Sequence, residues 1–442
     1  MSTNLKKSEE LYARAIKVIP GATQTLSKGA DRFVNGVTPK FLSHGDKAHV
    51  WDVDGNEYID WPMGLGAILL GYRIGEISLA MSEPIVRGAS FTLPHYSEVD
   101  LAEKLVEIIP CAEMVRFAKN GSDVTEAAVR IARAVTGRKH VAVCGYNGSH
   151  DWCAVTGGLK RGLIDDGYVH PFEYNNLASL TKTLAEWECA CVIMEQGLEE
   201  PKEKLLTVVK YVNGQEYFSD ENFLQVVKRY AHKYNSLFIL DEIVTGFRYA
   251  LGGAQELYNV TPDLCTMGKA MANGMPISVL MGKKEYMQTL TEGVFFSNTF
   301  SGDAVAIAAA LKTIELIERM GVIRELWIKG QTLRTGIQVS ANTQGLDINL
   351  RGNPVRSVLE ILDKDGKPDR IAYSLFLQET IKQGVLFGVP IFPCWGHTWP
   401  DINTTLDVVA NAFTNIKTAQ ESGKPLETFL EGDPIAPPVI RA

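Results

Sequence analysis

The chain has 442 residues, of which 45% are hydrophobic and 22% are charged, and its formal net charge is -8. This length is enough for two or three structural units, and the composition excludes a disordered scaffold. The negative net charge provides no general basic surface for phosphate backbones, so we expect no nucleic-acid partner.

Membrane, disulfide and metal features are not expected either. The first ten residues are polar, unlike a signal peptide, and no apolar run is long enough to span a membrane. The seven cysteines are odd in number and include no Cys-x-x-Cys pair, and the eight histidines show no metal-ligand spacing. The sequence therefore predicts a cytoplasmic protein with reduced thiols, no membrane segment and no metal.

The predicted elements begin with a helix and a hairpin. An amphipathic pattern predicts a helix over residues 7–19, which Pro20 ends. Alternating apolar and polar residues on both sides of an Asp-Gly-Asn turn predict a β-hairpin over residues 48–60.

Beyond residue 100, short apolar strands alternate with helical stretches. The predicted elements are 113–118, 123–137, 140–144, 190–195, 222–234, 236–241 and 303–319. Such alternation indicates an α/β domain with a mostly parallel sheet covered by helices.

The last part of the chain has a different pattern. Shorter strands and helices are predicted at 348–351, 355–362, 370–383, 385–393 and 401–420, which is typical of an α+β unit. We therefore predict an N-terminal segment (1–69), a large α/β domain (70–320) and a C-terminal α+β domain (321–442).

The first candidate site is the turn after the strand that ends near Phe117. A short turn with Gly121 and Ser122 leads into a long helix. Free N–H groups and the helix dipole favour an anion at such a place. The alternative is a plain turn with a helix-capping side chain, which this stretch alone favours.

The second candidate is Asp241, at the carboxyl end of an apolar strand. Open α/β sheets bind ligands at this edge, and a buried carboxylate there needs a cationic partner or a strong donor. Taken alone, Asp241 is better explained as a strand-end residue that caps a loop.

The third candidate is Lys269, which lies among Met, Ala and Gly residues. Desolvation lowers the pKa of a lysine, and a neutral amine can form an imine with an aldehyde. The alternative is a lysine whose apolar stem is buried and whose ammonium reaches water.

The three candidates together meet the needs of one cofactor. Pyridoxal phosphate requires a phosphate cradle, a lysine for its aldehyde and a carboxylate for its protonated ring nitrogen. Their combination predicts a pyridoxal-phosphate site more strongly than any member does.

In this order, the three motifs resemble those of class III aminotransferases with fold type I, and most closely the glutamate-1-semialdehyde aminomutase-like branch. The most specific matches are the stretch from Asp241 to Arg248 and the stretch from Gly268 to Pro276. The resemblance covers nearly the whole chain. It implies a large domain with a mostly parallel seven-stranded sheet and a smaller α+β domain.

The resemblance also implies roles for individual residues. Gly121 and Ser122 match the phosphate-binding Gly and Thr of the family motif Asn-Ser-Gly-Thr-Glu, here Lys119-Asn-Gly-Ser-Asp. Tyr146 matches the tyrosine that stacks on the cofactor ring, and Glu195 matches a glutamate near the ring. Asn147 and Gln196 replace the usual His and Pro beside them.

Thr299 matches a threonine that reaches the phosphate of the neighbouring subunit. The resemblance therefore implies a homodimer with shared active sites.

The implied activity is amino transfer between an amino donor and a polar carbonyl compound, for which a sugar-derived compound is one candidate. The mechanism would be ping-pong, with the cofactor held on Lys269. Asp241 would keep the ring nitrogen protonated, and Lys269 would move the proton. The alternative is a 2,1-aminomutase, which moves nitrogen within one molecule. Lys28 stands where the aminomutases carry a substrate-binding arginine, which weakens that alternative. A cofactor-free role is disfavoured because Lys269, Asp241 and Ser122 are all present.

Several further residues are candidates for substrate contact, although surface or packing roles explain them equally well. They are Lys28, His95, Tyr96, His150, Trp152, Arg351 and Trp395. For Arg248 we expect a structural role.

Overall fold

The computed structural model describes residues 4–204, 206–212 and 215–437, with only the backbone described for those between 206 and 219. The outermost residues of the predicted terminal segments, 1–3 and 438–442, lie outside the described residues. The helices are α1 (Lys6–Ala15), α2 (Gly75–Arg87), α3 (Ser97–Ile108), α4 (Gly121–Thr136), α5 (Asp151–Ala154), α6 (Leu177–Glu186), α7 (Phe223–Lys233), α8 (Ala254–Leu257), α9 (Lys284–Met287), α10 (Ala304–Met320), α11 (Val322–Gln344), α12 (Arg370–Ile381) and α13 (Trp399–Glu421). The strands are β1 (Leu42–Asp46), β2 (His49–Asp52), β3 (Glu57–Asp60), β4 (Met114–Ala118), β5 (His140–Cys144), β6 (Val169–Pro171), β7 (Cys189–Glu195), β8 (Leu206–Val212), β9 (Gln215–Glu221), β10 (Leu237–Glu242), β11 (Leu264–Met267), β12 (Ser278–Gly282), β13 (Ile348–Asn353), β14 (Arg356–Ile361) and β15 (Val385–Leu386).

The chain divides into two compact units. The central unit is the continuous stretch 75–323. The terminal unit combines the described residues up to 74 with those from 324 onward.

A seven-stranded sheet organises the central unit, in the order β4-β12-β11-β10-β7-β5-β6. Strand β12 runs antiparallel to both of its neighbours, and the other pairs are parallel. The mostly parallel seven-stranded sheet expected from the resemblance is therefore confirmed. The carboxyl ends of β4, β5, β7, β10 and β11 lie along one edge, which we call the carboxyl edge.

Helix α4 shows how this sheet is covered. Its buried residues Val124, Ala127, Ala128, Ile131 and Ala132 recur at the spacing of one helical face, and the helix packs against β7, β11 and β12. Because three of these residues are alanines, the helix axis can lie close to the sheet. The first turn of α4 is thereby fixed at the carboxyl edge.

The terminal unit contains a four-stranded sheet in the order β1-β2-β3-β15. Strands β2 and β3 form the predicted hairpin, while β15 adds to β3 in parallel. Strands β13 and β14 form a second, two-stranded sheet, and α12 packs against α13. The core of the unit includes Trp61, Phe376, Phe387 and Phe413, all almost fully buried.

Two predicted elements are shorter than expected. The N-terminal helix ends at Ala15, because the residue before Pro20 is excluded from helical geometry and the last turn loosens. The predicted strand 385–393 is a strand only over Val385–Leu386, since Gly388 weakens an extended strand and Pro390 has no N–H to donate. The β8–β9 hairpin was not predicted.

All seven cysteines are free and buried, as expected. Among the described helices, none is long and apolar enough to cross a membrane. The described part of the chain also contains no cluster of three or more metal-ligating side chains.

Candidate active site

The turn between β4 and α4 has the form of an anion site. Asn120 directly precedes α4, and its N–H donates to Asp123 Oδ2 at 3.1 Å. This bond lies at the start of the first turn of the helix. A Cβ added at Gly121 would lie 3.1 Å from side-chain carbons of Ile243, so a larger residue would crowd the turn. The Asp123 N–H donates to the Asn120 carbonyl at 3.2 Å. The first N–H groups of a helix generally have no acceptor within the helix and can bind an anion.

Ser122 is held by a second loop, the one that follows β5. The Ser149 N–H donates to Ser122 Oγ at 3.0 Å, so the hydroxyl proton of Ser122 can be donated elsewhere. Gly148 has a φ of +124°, and a Cβ there would lie 2.8 Å from Ser122 Oγ. Sequence reasoning missed Ser149, because nothing local to that loop indicates its contact with α4.

Tyr146 lies on the same loop, just beyond the carboxyl end of β5, and is 46% exposed. Its neighbour Asn147 is buried, and the Asn147 amide donates to the carbonyls of Cys144 and Gly145, both at 3.2 Å. Thr125 Oγ1 of α4 donates to the Asn147 carbonyl at 2.7 Å. These bonds of Asn147 hold the loop after β5 against α4. Tyr146 is then the exposed aromatic side chain of the loop.

Asp241 is a buried acidic group of the candidate site, with 3% exposure. Its Oδ1 accepts the Ile243 N–H and the Thr266 hydroxyl, both at 3.1 Å. Among the described residues, no donor reaches Oδ2. In the sheet, Asp241 pairs with Glu195 on one side and with Thr266 on the other.

The surroundings of Asp241 raise its pKa to about 7. Burial is the main cause, and the negative charge of Glu195 adds to it. The bonds from Ile243 and Thr266 and the positive charge of Lys269 act in the opposite direction. A cationic donor at Oδ2 would offset the remaining cost of ionising this carboxyl.

Lys269 follows β11 and begins a short 3-10 helix, Lys269–Ala272. Its φ is +38°, a left-handed conformation that costs free energy for any residue but glycine. Such conformations persist where the surroundings fix them, and α10 packs against this turn. The ammonium lies near enough to Asp241 to lower the pKa of that carboxyl.

Two other charged residues of the Asp241 motif are fully buried. Glu242 is fully buried, and its carboxylate accepts bonds from the Thr245 hydroxyl (2.9 Å), the Gln255 side chain (2.9 Å) and the Ala254 N–H. These bonds tie the following loop to β10. Arg248 is also fully buried, and its structural role stays a prediction.

Thr299 is exposed and lies between a short 3-10 helix (Gln288–Thr291) and the start of α10. Two phenylalanines of this segment are also exposed: Phe295 at 76% and Phe300 at 61%. Thr299 therefore lies on an exposed stretch of the central unit, and its contact with a neighbouring subunit stays a prediction.

Two substrate candidates of the central unit have partners inside it. His150 Nδ1 bonds Glu126 Oε2, and its Nε2 lies 3.7 Å from Asp123 Oδ1. Trp152 packs against the core beside α4. His95 Nδ1 lies 2.7 Å from Ser97 Oγ, while Tyr96 is 68% exposed.

The remaining substrate candidates belong to the terminal unit. Lys28 lies near enough to Asp60 to lower the pKa of that buried carboxyl. Arg351 Nη1 lies 3.4 Å from Glu360 Oε1. Trp395 is covered by the Lys329 ammonium, 5.1 Å from the ring centroid. A substrate contact by any of these residues stays a prediction.

These residues fit pyridoxal phosphate. Gly121, Ser122 and the start of α4 offer donors for a phosphate, and Asp241 Oδ2 offers an acceptor for a protonated ring nitrogen. Lys269 supplies an amine at the same edge of the sheet.

Comparison with known proteins gives the same result. The family model for class-III aminotransferases matches residues 34–395. The 3-aminobutyryl-CoA aminotransferase of Cloacimonas acidaminovorans is 36% identical over 419 residues, which cover 93% of this chain and 98% of that protein. The glutamate-1-semialdehyde 2,1-aminomutase of Desulforamulus reducens is 30% identical over 443 residues, covering 93% and 99%.

Solved structures are similar over nearly the whole chain. The internal aldimine form of the FumI protein from Sphingopyxis sp. MTA144, with pyridoxal phosphate, gives a TM-score of 0.84 at 27% identity and covers 96% of this chain and 99% of that one. An omega-transaminase from Sphaerobacter thermophilus gives a TM-score of 0.79 at 22% identity, covering 93% and 98%, and supports the fold alone.

Fold and site together define a pyridoxal-phosphate-dependent enzyme of fold type I. The chain belongs to the class-III aminotransferases.

Proposed function

We propose that this aminotransferase takes its amino group from a 3-amino acyl compound of the 3-aminobutyryl-CoA kind and passes it to a small oxo acid. The amino-transfer chemistry is supported by one observation above all. Asp241, Ser122 and Lys269, from three distant parts of the chain, all lie at the carboxyl edge of one sheet. The substrate class is supported by the 36% identity to the 3-aminobutyryl-CoA aminotransferase.

Each residue then has a definite task. When bound, pyridoxal phosphate supplies an electron sink for the carbon that carries the amino group. Gly121, Ser122 and the first turn of α4 hold its phosphate, and Asp241 holds a proton at the ring nitrogen. Lys269 anchors the cofactor and moves a proton to and from the substrate carbon. Tyr146 stacks on the ring.

Glu195 sits beside Asp241 in the sheet and has an electrostatic task. Its negative charge raises the pKa of Asp241. The negative charge of Glu195 would therefore help Asp241 to stabilise a positive charge on a bound ring nitrogen.

The proposal includes a homodimer with shared active sites. Thr299, Phe295 and Phe300 are exposed on one segment, and such exposed aromatic side chains are typical of protein interfaces. In the dimer, Thr299 would contact the phosphate held by the neighbouring subunit. A cytoplasmic location also belongs to the proposal, supported by the seven free cysteines.

A second candidate, the 2,1-aminomutase, is favoured by the 30% identity to the Desulforamulus reducens enzyme. Lys28, in place of the substrate-binding arginine expected from that branch, speaks against it, because an ammonium cannot grip a carboxylate in bidentate fashion. A sugar-derived acceptor stays a prediction from the sequence.

The test is a half-reaction with the purified, cofactor-loaded enzyme. We expect 3-aminobutyryl-CoA alone to convert the cofactor spectrum to that of its amino form and to release one 3-oxoacyl product per site. Conversion by glutamate-1-semialdehyde without release of an oxo product would support the aminomutase instead. Conversion by neither compound but by an amino sugar would overturn the proposed substrate class.

A lysine variant tests the anchor separately. Lys269→Ala should lose the absorbance band of the covalently held cofactor, whereas Lys284→Ala, at an exposed lysine of the same unit, should keep it. If the unmodified protein stays colourless with pyridoxal phosphate, the proposed function fails altogether.

A further inference from the structure

An ion pair joins two segments that the proposed mechanism uses separately. Lys119 Nζ lies 2.6 Å from Asp303 Oδ2, and the two side chains are only 17% and 19% exposed. Ion pairs on open surfaces contribute little, but shielding from water strengthens and orients a pair at this depth.

Lys119 is the first residue of the phosphate-binding turn. It follows Ala118, the last residue of β4, and directly precedes Asn120 and Gly121. The Ser278 hydroxyl donates to the Asn120 carbonyl at 2.8 Å, which fixes the other side of the turn. A shift of the Lys119 side chain would therefore be transmitted to the residues that hold the phosphate.

Asp303 ends the segment that carries Thr299. Its Oδ1 caps α10 by accepting the Val305 N–H at 2.9 Å, while its Oδ2 is kept for Lys119. The Asp303 N–H in turn donates to the Phe300 carbonyl at 3.2 Å. One carboxylate thus sets the start of α10 and the end of the Thr299 segment.

The next residue back, Gly302, is closely packed. A Cβ added to it would lie 2.5 Å from Glu98 Oε1. The close packing of Gly302 holds the Thr299 segment in place at its Asp303 end. Asp303 contacts Lys119 of the phosphate-binding turn, so a change in that turn can reach Thr299 through Asp303.

We propose that the Lys119–Asp303 pair is a positioning device that couples the phosphate-binding turn of one subunit to its Thr299 segment, and through Thr299 to the cofactor phosphate of the partner subunit. The inference rests on the proposed function and its dimer. Cofactor binding in one site would then strengthen cofactor retention in the other.

A competing role for Lys119 is direct contact with the phosphate. The two roles predict opposite results for Asp303→Asn, which keeps a good helix cap but removes the charge. If Lys119 positions the turn, the variant releases pyridoxal phosphate faster. If Lys119 binds the phosphate, the freed ammonium holds the cofactor more tightly and release slows.

The measurement is the rate of cofactor release, followed by absorbance and fluorescence after dilution into a cofactor trap. We expect Lys119→Met and Asp303→Asn each to speed release about fivefold, with no further effect when combined, and Lys119→Arg to restore most of the retention. The control is Glu76→Gln, which removes an exposed ion pair with Arg319 in the same unit and should change nothing.

Mixed dimers test the coupling between subunits. One subunit carries Lys269→Ala, so that the partner subunit alone holds the cofactor covalently, and its release is measured. Adding Lys119→Met to the Lys269→Ala subunit should speed release from the partner about fivefold.

Unchanged release from the partner would overturn the coupling, even with normal spectra and activity. A chain that never binds the cofactor would instead overturn the proposed function, and with it the role of the pair. The melting temperature of the cofactor-free variants should equal that of the unmodified protein within a few degrees, which separates positioning from unfolding.

Discussion

The pKa values of two buried aspartates, one at each end of the strands of the central sheet, are shifted in opposite directions. At the carboxyl edge, burial raises the pKa of Asp241 to about 7. At the other edge, before β11, hydrogen bonds from His232, Phe238 and Lys283 outweigh burial and lower the pKa of Asp263 to about 2.

The difference lies in how each carboxylate is satisfied. Asp263 Oδ2 accepts His232 Nε2 at 2.7 Å and the Phe238 N–H at 2.8 Å, and its Oδ1 accepts Lys283 Nζ at 2.9 Å. Asp241 accepts two hydrogen bonds on Oδ1, while its Oδ2 accepts none from the described residues. A carboxylate whose bonds are complete holds the fold together, whereas an incompletely satisfied one is prepared for a ligand.

The largest expected effect comes from Asp241→Asn. The amide cannot hold a proton on the ring nitrogen, so we expect kcat to fall about 10²- to 10³-fold. The cofactor should still bind, because Ser122 and Lys269 are unchanged. Steady-state kinetics and the absorbance spectrum of the loaded protein check both statements.

The same variant should stabilise the cofactor-free protein at neutral pH. The folded pKa of Asp241 is raised, so the stability of the unmodified protein falls as pH rises from about 4 to about 7. Asn cannot ionise and avoids this cost, which is at most about 4 kcal/mol for a pKa raised to about 7. Equal pH profiles of thermal melting for the two proteins would contradict the assigned environment of Asp241.

Asp263→Asn should give the reverse pattern. Asn keeps one acceptor oxygen but has no charge, so Lys283 and His232 lose the carboxylate that both contact, and we expect the free energy of unfolding to fall by about 3 kcal/mol. In the unmodified protein, the contribution of Asp263 is present above pH 4 and is lost as pH falls towards about 2.

The contrast with Asp241 would fail if Asp263→Asn changed the cofactor spectrum of the protein that remains folded. Denaturant unfolding measures the loss of stability, and the spectrum of the loaded variant at low temperature measures the site. We expect the spectrum to be unchanged.

The smallest effect is expected in the terminal unit, where His49 joins two carboxylates. His49 lies 3.0 Å from Asp401 and 2.8 Å from Glu57, and the bond to Asp401 raises its pKa. Its stabilising effect is therefore full below about pH 6.5 and is lost as pH rises through the raised folded pKa.

Because His49 is partly exposed, we expect His49→Gln to lower stability by less than about 1 kcal/mol at pH 5.5 and to have no effect at pH 9. Thermal melts at the two pH values test this. If His49→Gln lowered stability more than Asp263→Asn does, burial would not determine how much these ionised groups contribute to the free energy of unfolding.

The sequence predicted the parts of the site that local pattern determines. The apolar run before Asp241 predicted a strand ending at the ligand edge, and the Gly121 turn predicted the start of α4; both elements are confirmed. The β-hairpin over 48–60 is confirmed for the same reason, since its alternation and its turn are local signals.

Contacts between distant segments were not predictable in this way. The bond from Ser149 to Ser122 and the pairs Lys119–Asp303 and His232–Asp263 join residues whose neighbours along the chain carry no sign of the partner. A single sequence records periodicity and turn chemistry, but the meeting of two segments depends on the packing of the whole unit.

The terminal unit, built from both ends of the chain, has a consequence for biosynthesis. Strand β3 is completed by β15 through the pairing of Ile59 with Val385, while the continuous central unit is translated between them. At ribosomal speeds, β3 waits on the order of tens of seconds for its partner. During that interval its open edge is exposed to other nascent chains, so chains truncated before Val385 should be especially prone to aggregate.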